Sequence, residues 1–269
     1  MIGSIANNRF LQRVNPEIKR ALNETGAAAS MRQMVDLDIA KNLVGWWHRD
    51  NVNTRVSGSD TFVTQANDSS GGTNDAAQAT NDNQPKLVSL GMGFDGSKSM
   101  FGPPSNIIRN THSFSVSMWL KSYISSAPDN ANAIMFSRLS DSEGVALGTY
   151  IRINGSALEC RYRSGGVNYS LYFLDDNINT NVYYQCTYVW DISNTKFTIY
   201  LDGEYCDEDV CSIGDYGTMP ILIGGRNDGI DFNDQYWDGM LNDIRIFNKA
   251  LSADEISAIY NQTKGAYGL

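Results

Sequence analysis

The sequence predicts an all-β fold: an antiparallel sandwich carrying a short N-terminal helical arm and one C-terminal helix. Three observations carry this prediction. From Ser113 onward, short segments rich in Val, Ile, Phe and Tyr follow one another closely. The turn dipeptides Asn154-Gly155, Gly165-Gly166, Asp202-Gly203 and Gly224-Gly225 separate them, the rhythm of antiparallel sandwiches rather than of βαβ units. The composition agrees, with 24 Gly and 14 Tyr but only 6 Pro among 269 residues. A chain of this length buries roughly three quarters of its unfolded surface and needs no metal or disulfide to fold.

Residues 1–40 differ from the rest, with Phe10 their single aromatic residue. Asn15 is placed to cap a helix that begins at Pro16, carries a narrow apolar stripe of Ile18, Ala21 and Leu22, and ends at Gly26. A second helix starts at Ser30 with Gln33 completing a capping box, and Met31, Met34 and Val35 form its apolar face. Helices this short need a surface to pack on, either the chain's own sandwich or another subunit; residues 1–40 read as a docking arm and residues 41–269 as the sandwich.

The β region opens at Leu43–Trp47. A long polar passage from Arg49 to Gln84 follows; it holds few core residues, and its centre from Asn67 to Ala76 is dense in turn formers. Met92–Ser97 precedes an alternating strand, Ser113–Lys121, in which Phe114, Val116, Met118 and Leu120 point inward. Further strands are expected at 133–139, 145–153, 157–163, 168–173, 183–190, 196–201 and 221–223. The final strand, 240–247, alternates so that Met240, Asn242, Ile244 and Ile246 face one way, and Leu241, Asp243, Arg245 and Phe247 the other. Ser252 then caps a helix with Glu255 three residues on, and Ile256, Ile259 and Tyr260 recur at helical spacing.

A net charge of −9 with no basic cluster argues against nucleic acid as a partner. The absence of an 18-residue apolar run argues against membrane insertion, and the opening MIGSIANNRFLQR lacks a secretory apolar stretch, which predicts synthesis in a cytoplasm. Cys160, Cys186, Cys206 and Cys211 match no zinc spacing. Buried thiols are expected, with a Cys206–Cys211 bridge as the alternative in an oxidising medium.

In this order, several pieces resemble the laminin-G-like, concanavalin A-like jelly-roll domains. They are Leu43-Val44-Gly45-Trp46-Trp47, Asp68–Asn74, Phe94-Asp95-Gly96-Ser97, Phe114–Trp119, Tyr200-Leu201-Asp202-Gly203 and the ending Tyr236–Tyr260. The stretch from Thr73 through Pro85 to Gly96 is similar to versions carried by bacteriophage structural proteins. That likeness implies a virion component, a capsid decoration or a tail-fibre part, oligomeric in the particle. It would hold other virion proteins through residues 1–40 and host-surface glycans on the sandwich. A free carbohydrate-binding lectin and a glycoside hydrolase of the same fold are the alternatives.

Hydrolysis in this fold needs paired carboxylates, commonly as Glu-x-Asp-x-x-Glu along one strand, and that pattern is absent. Glu204, Asp207 and Glu208 form the nearest cluster; after the Asp202-Gly203 turn they read as a solvated loop. A non-enzymatic role is expected. His48 reads as a strand-end residue, and neither it nor His112 accompanies a nucleophile motif.

Calcium is the candidate ion, because Asp/Asn-rich loops supply the oxygen ligands it takes. The loops Asn67–Asn74 and Asn227–Asp238 qualify by composition. The resemblance points to Asp68 and Asp243 as a calcium pair; otherwise Asp68 caps its own turn and Asp243 pairs with Arg245 or a turn amide. Sugar binding needs an exposed aromatic face beside amides and carboxylates. Tyr216 and Tyr236, with Asn227, Asp228, Asn233 and Asp234, are the candidates. Trp46, Trp119, Trp190 and Trp237 are expected in the core.

Overall fold

The computed structural model describes residues 38–97, 102, 107–108, 111–127, 133–140, 146–164, 167–174, 178–210, 221–225 and 236–269. Most of the predicted arm, with Tyr216, Asn227, Asp228, Asn233, Asp234 and Cys211, lies outside them.

The strands in chain order are β1 (Leu43–Trp47), β2 (Val52–Ser57), β3 (Asp60–Ala66), β4 (Ala76–Ala77), β5 (Lys86–Val88), β6 (Gly91–Asp95), β7 (Phe114–Ser122), β8 (Ala133–Ser140), β9 (Ala146–Asn154), β10 (Ala157–Ser164), β11 (Val167–Leu174), β12 (Tyr183–Asp191), β13 (Lys196–Leu201), β14 (Glu204–Val210), β15 (Ile221–Ile223) and β16 (Asp238–Phe247). Helix α1 (Ala253–Thr263) and a short 3-10 turn, Lys264–Tyr267, close the chain. The larger sheet runs β14-β13-β12-β7-β16-β6-β5-β3-β2, with β1 on β16 and β4 on β3; the smaller runs β11-β10-β9-β8-β15. The described pairings are antiparallel, and the predicted two-sheet jelly-roll sandwich is what the chain forms.

Alternation explains which side chains enter the core. On β7, Phe114, Val116, Met118 and Leu120 lie between the sheets beside Tyr162, Tyr188, Trp190 and Phe197. The intervening Ser115, Ser117 and Trp119 face outward. There Ser115 Oγ donates to Lys249 O at 2.8 Å and accepts from Leu251 N at 2.9 Å, which seats the start of α1. The capping box forms as the sequence predicts: Glu255 N donates to Ser252 Oγ at 3.3 Å, and Ser252 N donates to Glu255 Oε2 at 2.8 Å. Ile256 and Ile259 then bury against Phe247 and Leu251, so α1 covers part of the larger sheet's outer face.

Three sequence expectations are corrected. The polar passage after Arg49, in which no strand was expected, holds β2, β3 and β4, which complete one edge of the larger sheet with Val63, Ala66 and Ala76 fully buried. Glu204, Asp207 and Glu208 lie on β14, the opposite edge strand, not in a loop. Asp202 and Gly203 take φ values of 50° and 84°, the left-handed pair a two-residue hairpin needs, so β14 folds straight back on β13.

The third correction concerns β16. Its register against β7 shifts between Asn242 and Arg245, and Asp243 sits at φ 49°, a left-handed conformation that Asp tolerates better than most residues. The alternation therefore breaks at this bulge. Leu241 and Ile244 both enter the core between the sheets, while Met240 turns outward against Trp119 and Tyr267. Trp119, Trp190 and Trp237 are fully buried as expected; Trp46 is only half-buried.

Candidate functional site

The edge strands that the composition concealed build a broad concavity. Beside α1, on the outer face of the larger sheet, β2, β3, β5 and β6 leave a groove of about 690 Å3, closed at one end by Tyr123 and Asp238. Its floor is low because Gly93 stands opposite Lys86 and carries no side chain; a Cβ there would meet Val88 Cγ1 at 3.0 Å.

One wall is cationic but already engaged. Arg55 Nη2 donates to Asn81 O at 2.8 Å, its Nε donates to Gln84 Oε1, and its guanidinium lies 4.5 Å from the centroid of the Phe62 ring. Lys86 Nζ pairs with Asp60 Oδ2 at 2.9 Å and sits 5.9 Å from the same ring. The hydrogen bond and charge of Asp60 push the Lys86 ammonium above its ordinary range, which keeps it protonated.

The other end is acidic and aromatic. Asp95 and Asp238 stand directly opposite each other on β6 and β16. Asp95 Oδ1 accepts from Ser97 N at 3.0 Å and from Ser97 Oγ at 2.7 Å. Burial, with the Asp95 charge adding to it, raises the Asp238 carboxyl above the usual carboxylate range. Gly96, at φ 71°, turns the chain here, and a Cβ on it would lie 3.1 Å from Asp238 Cβ. Tyr123 N donates to Asp238 O at 3.1 Å, which fixes Tyr123 beside the pair with 39% of its surface exposed. Partial burial raises the Tyr123 hydroxyl's pKa, so it stays a hydrogen-bond donor at neutral pH. The groove thus offers an open aromatic face flanked by hydroxyl, carboxylate and amide groups, chemistry suited to a polyhydroxylated ligand.

The residues singled out from sequence fare differently. Tyr236 is described, pairs with Gly225 in an isolated antiparallel bridge and is only 8% exposed, so it offers no open aromatic face. Asp68 and Asp243 are brought together around Trp46. Asp68 Oδ1 accepts from Trp46 N at 3.0 Å and from Ser70 N at 2.8 Å, and its Oδ2 accepts from Asn74 N at 3.2 Å. Asp243 Oδ1 accepts from Trp46 Nε1 at 2.6 Å and from Arg245 Nε at 2.8 Å, while Arg245 Nη2 donates to Oδ2 at 2.9 Å. Every oxygen of the pair already accepts an N–H, the geometry of a turn cap and an ion pair. As folded, the two do not fit a calcium site, and among the described residues no group of three or more His, Cys, Asp and Glu side chains converges on one point.

Cys160, Cys186 and Cys206 are free thiols, the first two buried, and burial raises their pKa values. His48, expected at a strand end, follows β1 and has Nε2 3.0 Å from Ser69 Oγ. Lys196 Nζ pairs with Glu208 Oε2 at 2.8 Å on the β14 edge, away from the groove.

Of the groove residues, sequence reading offered only Asp238 as a ligand, among the oxygen donors of a loop. Asp95 and Asp238 lie in two of the quoted motifs, Phe94-Asp95-Gly96-Ser97 and the closing stretch, and the β6–β16 pairing is what joins them.

A two-sheet sandwich with a lectin-like architecture and a polar groove on one outer face is the class defined by these features. The chain belongs to the concanavalin A-like lectin/glucanases superfamily, whose laminin-G-type profile matches residues 94–257, more than half its length. Among solved structures it is similar to the binding domain of botulinum neurotoxin serotype D, at 17% identity and a TM-score of 0.62 over 84% of this chain and 52% of that one. It is also similar to the binding domain of Paraclostridial Mosquitocidal Protein 1, at 16% identity and a TM-score of 0.57 over 83% and 53%. Trypanosoma rangeli sialidase, solved in complex with sialic acid, matches at 12% identity and a TM-score of 0.60 over 84% of this chain and 34% of the enzyme. The chain spans about half the length of the toxin domains, and at these identities the likeness is one of fold. No curated protein sequence matches.

Proposed function

We propose that the sandwich is a non-enzymatic carbohydrate-recognition module whose ligand lies in the groove across β2, β3, β5 and β6, against Tyr123. The observation that carries the reading is the exposed Tyr123 ring fixed beside Asp95 and Asp238 at the mouth of a concavity of about 690 Å3. A sugar ring needs one apolar face to lie on and charged or amide groups to bond its hydroxyls, and the groove supplies both. Support of a general kind comes from the fold's company: several structural neighbours are binding domains, and one neurotoxin domain is solved with N-acetylneuraminic acid. The non-enzymatic part rests on the sequence, which lacks the strand-borne carboxylate pattern, and on Glu204, Asp207 and Glu208 lying on the far edge strand. A glycan array probed with the full chain and with Tyr123→Ala tests the reading. Binding to one glycan class that the variant loses supports it; binding that the variant keeps in full, or hydrolysis of a bound glycan, contradicts it.

The setting proposed for this module is a bacteriophage particle, with residues 1–40 docking it onto other virion proteins. The likeness of Thr73–Gly96 to segments of phage structural proteins favours this setting. Particles assembled with a chain lacking residues 1–40 test it: the folded sandwich should be absent from the particles, and its retention would overturn the docking role.

A further inference from the structure

We propose that β2 is a self-association edge: two copies of the chain pair antiparallel through Val52–Ser57, about a two-fold axis at Thr54, and join their larger sheets into one. The interface does not depend on what the groove holds.

An unpaired strand edge presents a row of backbone N–H and C=O groups, and folded proteins block such edges with charge, short strands or covering chain. Among the described residues, every sheet edge except β2 is blocked in one of these ways. β14 carries Glu204, Asp207, Glu208 and Asp209, which repel a second copy. β15 has only three residues. β11 lies alongside β14, where the two sheets close on each other and Tyr162 Oη donates to Asp209 Oδ2 at 3.1 Å. β1 turns its outer side to the 68–74 turn: Trp46 N donates to Asp68 Oδ1 at 3.0 Å, Ser69 N to Trp46 O at 2.8 Å and Asn74 Nδ2 to Val44 O at 2.8 Å. β4, of two residues, is bridged by Gly102. β2 ends the larger sheet with six residues, none of them acidic or proline. Asn53, Thr54, Val56 and Ser57 are exposed, Val56 by 73%.

The backbone of β2 is aimed for pairing. Asn51 O accepts from Asn67 N at 2.9 Å and Asn53 O accepts from Thr64 Oγ1 at 3.1 Å, so the odd-numbered residues turn their peptide groups toward β3. Alternation then directs the N–H and C=O of Val52, Thr54 and Val56 outward. Centred on Thr54, an antiparallel copy places Thr54 opposite Thr54 and Val52 opposite Val56. Each pair exchanges both backbone hydrogen bonds, with the two Thr54 Cα atoms about 5.5 Å apart. The side chains agree with this register. Val52 packs toward the core, and Thr54 and Val56 follow on that side beyond the cover of the five-stranded sheet, so β-branched side chains meet across the axis. On the other face Arg55 falls opposite Asn53 of the second copy rather than opposite Arg55, and its guanidinium leans over Phe62 toward Gln84. An axis normal to the sheet keeps both grooves on one face, and Arg55 and Ser57, which line the groove, bring the two side by side. The dimer presents two grooves to one surface, the arrangement in which avidity raises apparent affinity.

Sedimentation equilibrium of the full chain across a concentration series tests this. The parent should pass from monomer to dimer. Val56→Lys sets an ammonium opposite each Val52 and should raise the dimer dissociation constant roughly tenfold or more, since the interface contains the change twice. Thr54→Pro removes an N–H that points away from β3 and should do the same. Val210→Lys, on the β14 edge, should leave the constant unchanged. Thermal melts show that the variants are folded. A Thr54→Cys chain treated with a short bis-maleimide should give a covalent dimer, suppressed when Val56→Lys is added. A parent that stays monomeric at millimolar concentration, a dimer that survives both β2 substitutions in folded chains, one that Val210→Lys dissolves, or no cross-link at Thr54→Cys would overturn the proposal.

Discussion

Asp95 and Asp238 face each other across β6 and β16, two carboxylates paired in register where opposite charges would be expected to stabilise the sheet. Burial and the Asp95 charge raise the Asp238 carboxyl above its unfolded value, so the folded chain holds that proton more tightly than the unfolded one. Between the two pKa values the native state binds more protons, and stability falls as pH rises through that window. Asp238→Asn removes the penalty. Its thermal midpoint should exceed that of the parent at neutral pH, and the difference should vanish once the pH lies below the ordinary carboxylate range. A variant less stable than the parent at neutral pH would mean that the pair is held by an attraction not evident in the fold.

The contacts around Trp46 predict a different result for the other acidic pair. Asp243 is buried, and its charge is met by Arg245 through two hydrogen bonds of 2.8 and 2.9 Å. Arg245→Ala leaves that carboxylate with the Trp46 indole as its remaining described donor and should cost about 3 kcal/mol, read from chemical denaturation. A chelator should leave the melting temperature of the parent unchanged, because N–H donors already occupy the oxygens of Asp68 and Asp243. A melting temperature lowered by chelation would restore calcium to the pair.

The outer face of the larger sheet is sealed at the end of the chain. Tyr267 stacks on Trp119 with ring centroids 4.0 Å apart and planes 19° from parallel, and its hydroxyl accepts from Asn242 Nδ2 at 3.0 Å. Tyr267→Ala should cost roughly 3 kcal/mol and shift Trp119 fluorescence to the red as water reaches the indole. Loss of stability without a spectral shift would show that another side chain closes over Trp119.

Trp237 tests the core beneath the groove. It is fully buried, yet among the described residues its indole N–H meets no acceptor. Trp237→Ala should therefore cost about 3–5 kcal/mol for the cavity, whereas Trp237→Phe keeps part of the volume, removes the unsatisfied donor and should cost far less. Equal losses for the two variants would indicate an acceptor for that N–H.

The elements that could be read in the sequence were those whose local signals agree with their tertiary role. Phe114 to Leu120 alternates because one face of β7 is core, Asp202-Gly203 is the turn that a tight hairpin demands, and Ser252 with Glu255 caps α1. Strands β2 and β3 were hidden because they form an edge, where Thr54, Arg55 and Thr61 meet solvent or the groove and only Val63 and Ala66 are buried. Strand β14 was hidden by its acidic residues, which suit an edge strand as well as a loop. The bulge at Asp243 left no periodic trace, since it consists of one residue turned left-handed. The groove was the least legible feature. Arg55, Lys86, Tyr123 and Asp238 are ordinary surface types in separate segments, and only sheet pairing across long sequence distances assembles them.

A crystal structure of the full chain with an oligosaccharide that it binds in solution tests the central claim most directly. The account predicts a sugar ring over Tyr123, with its polar groups bonded to Asp95 and Asp238 and the chain of sugars running toward Phe62. A ligand seated instead on the outer face of the smaller sheet, or on residues 211–220 or 226–235, with the groove empty, would contradict it.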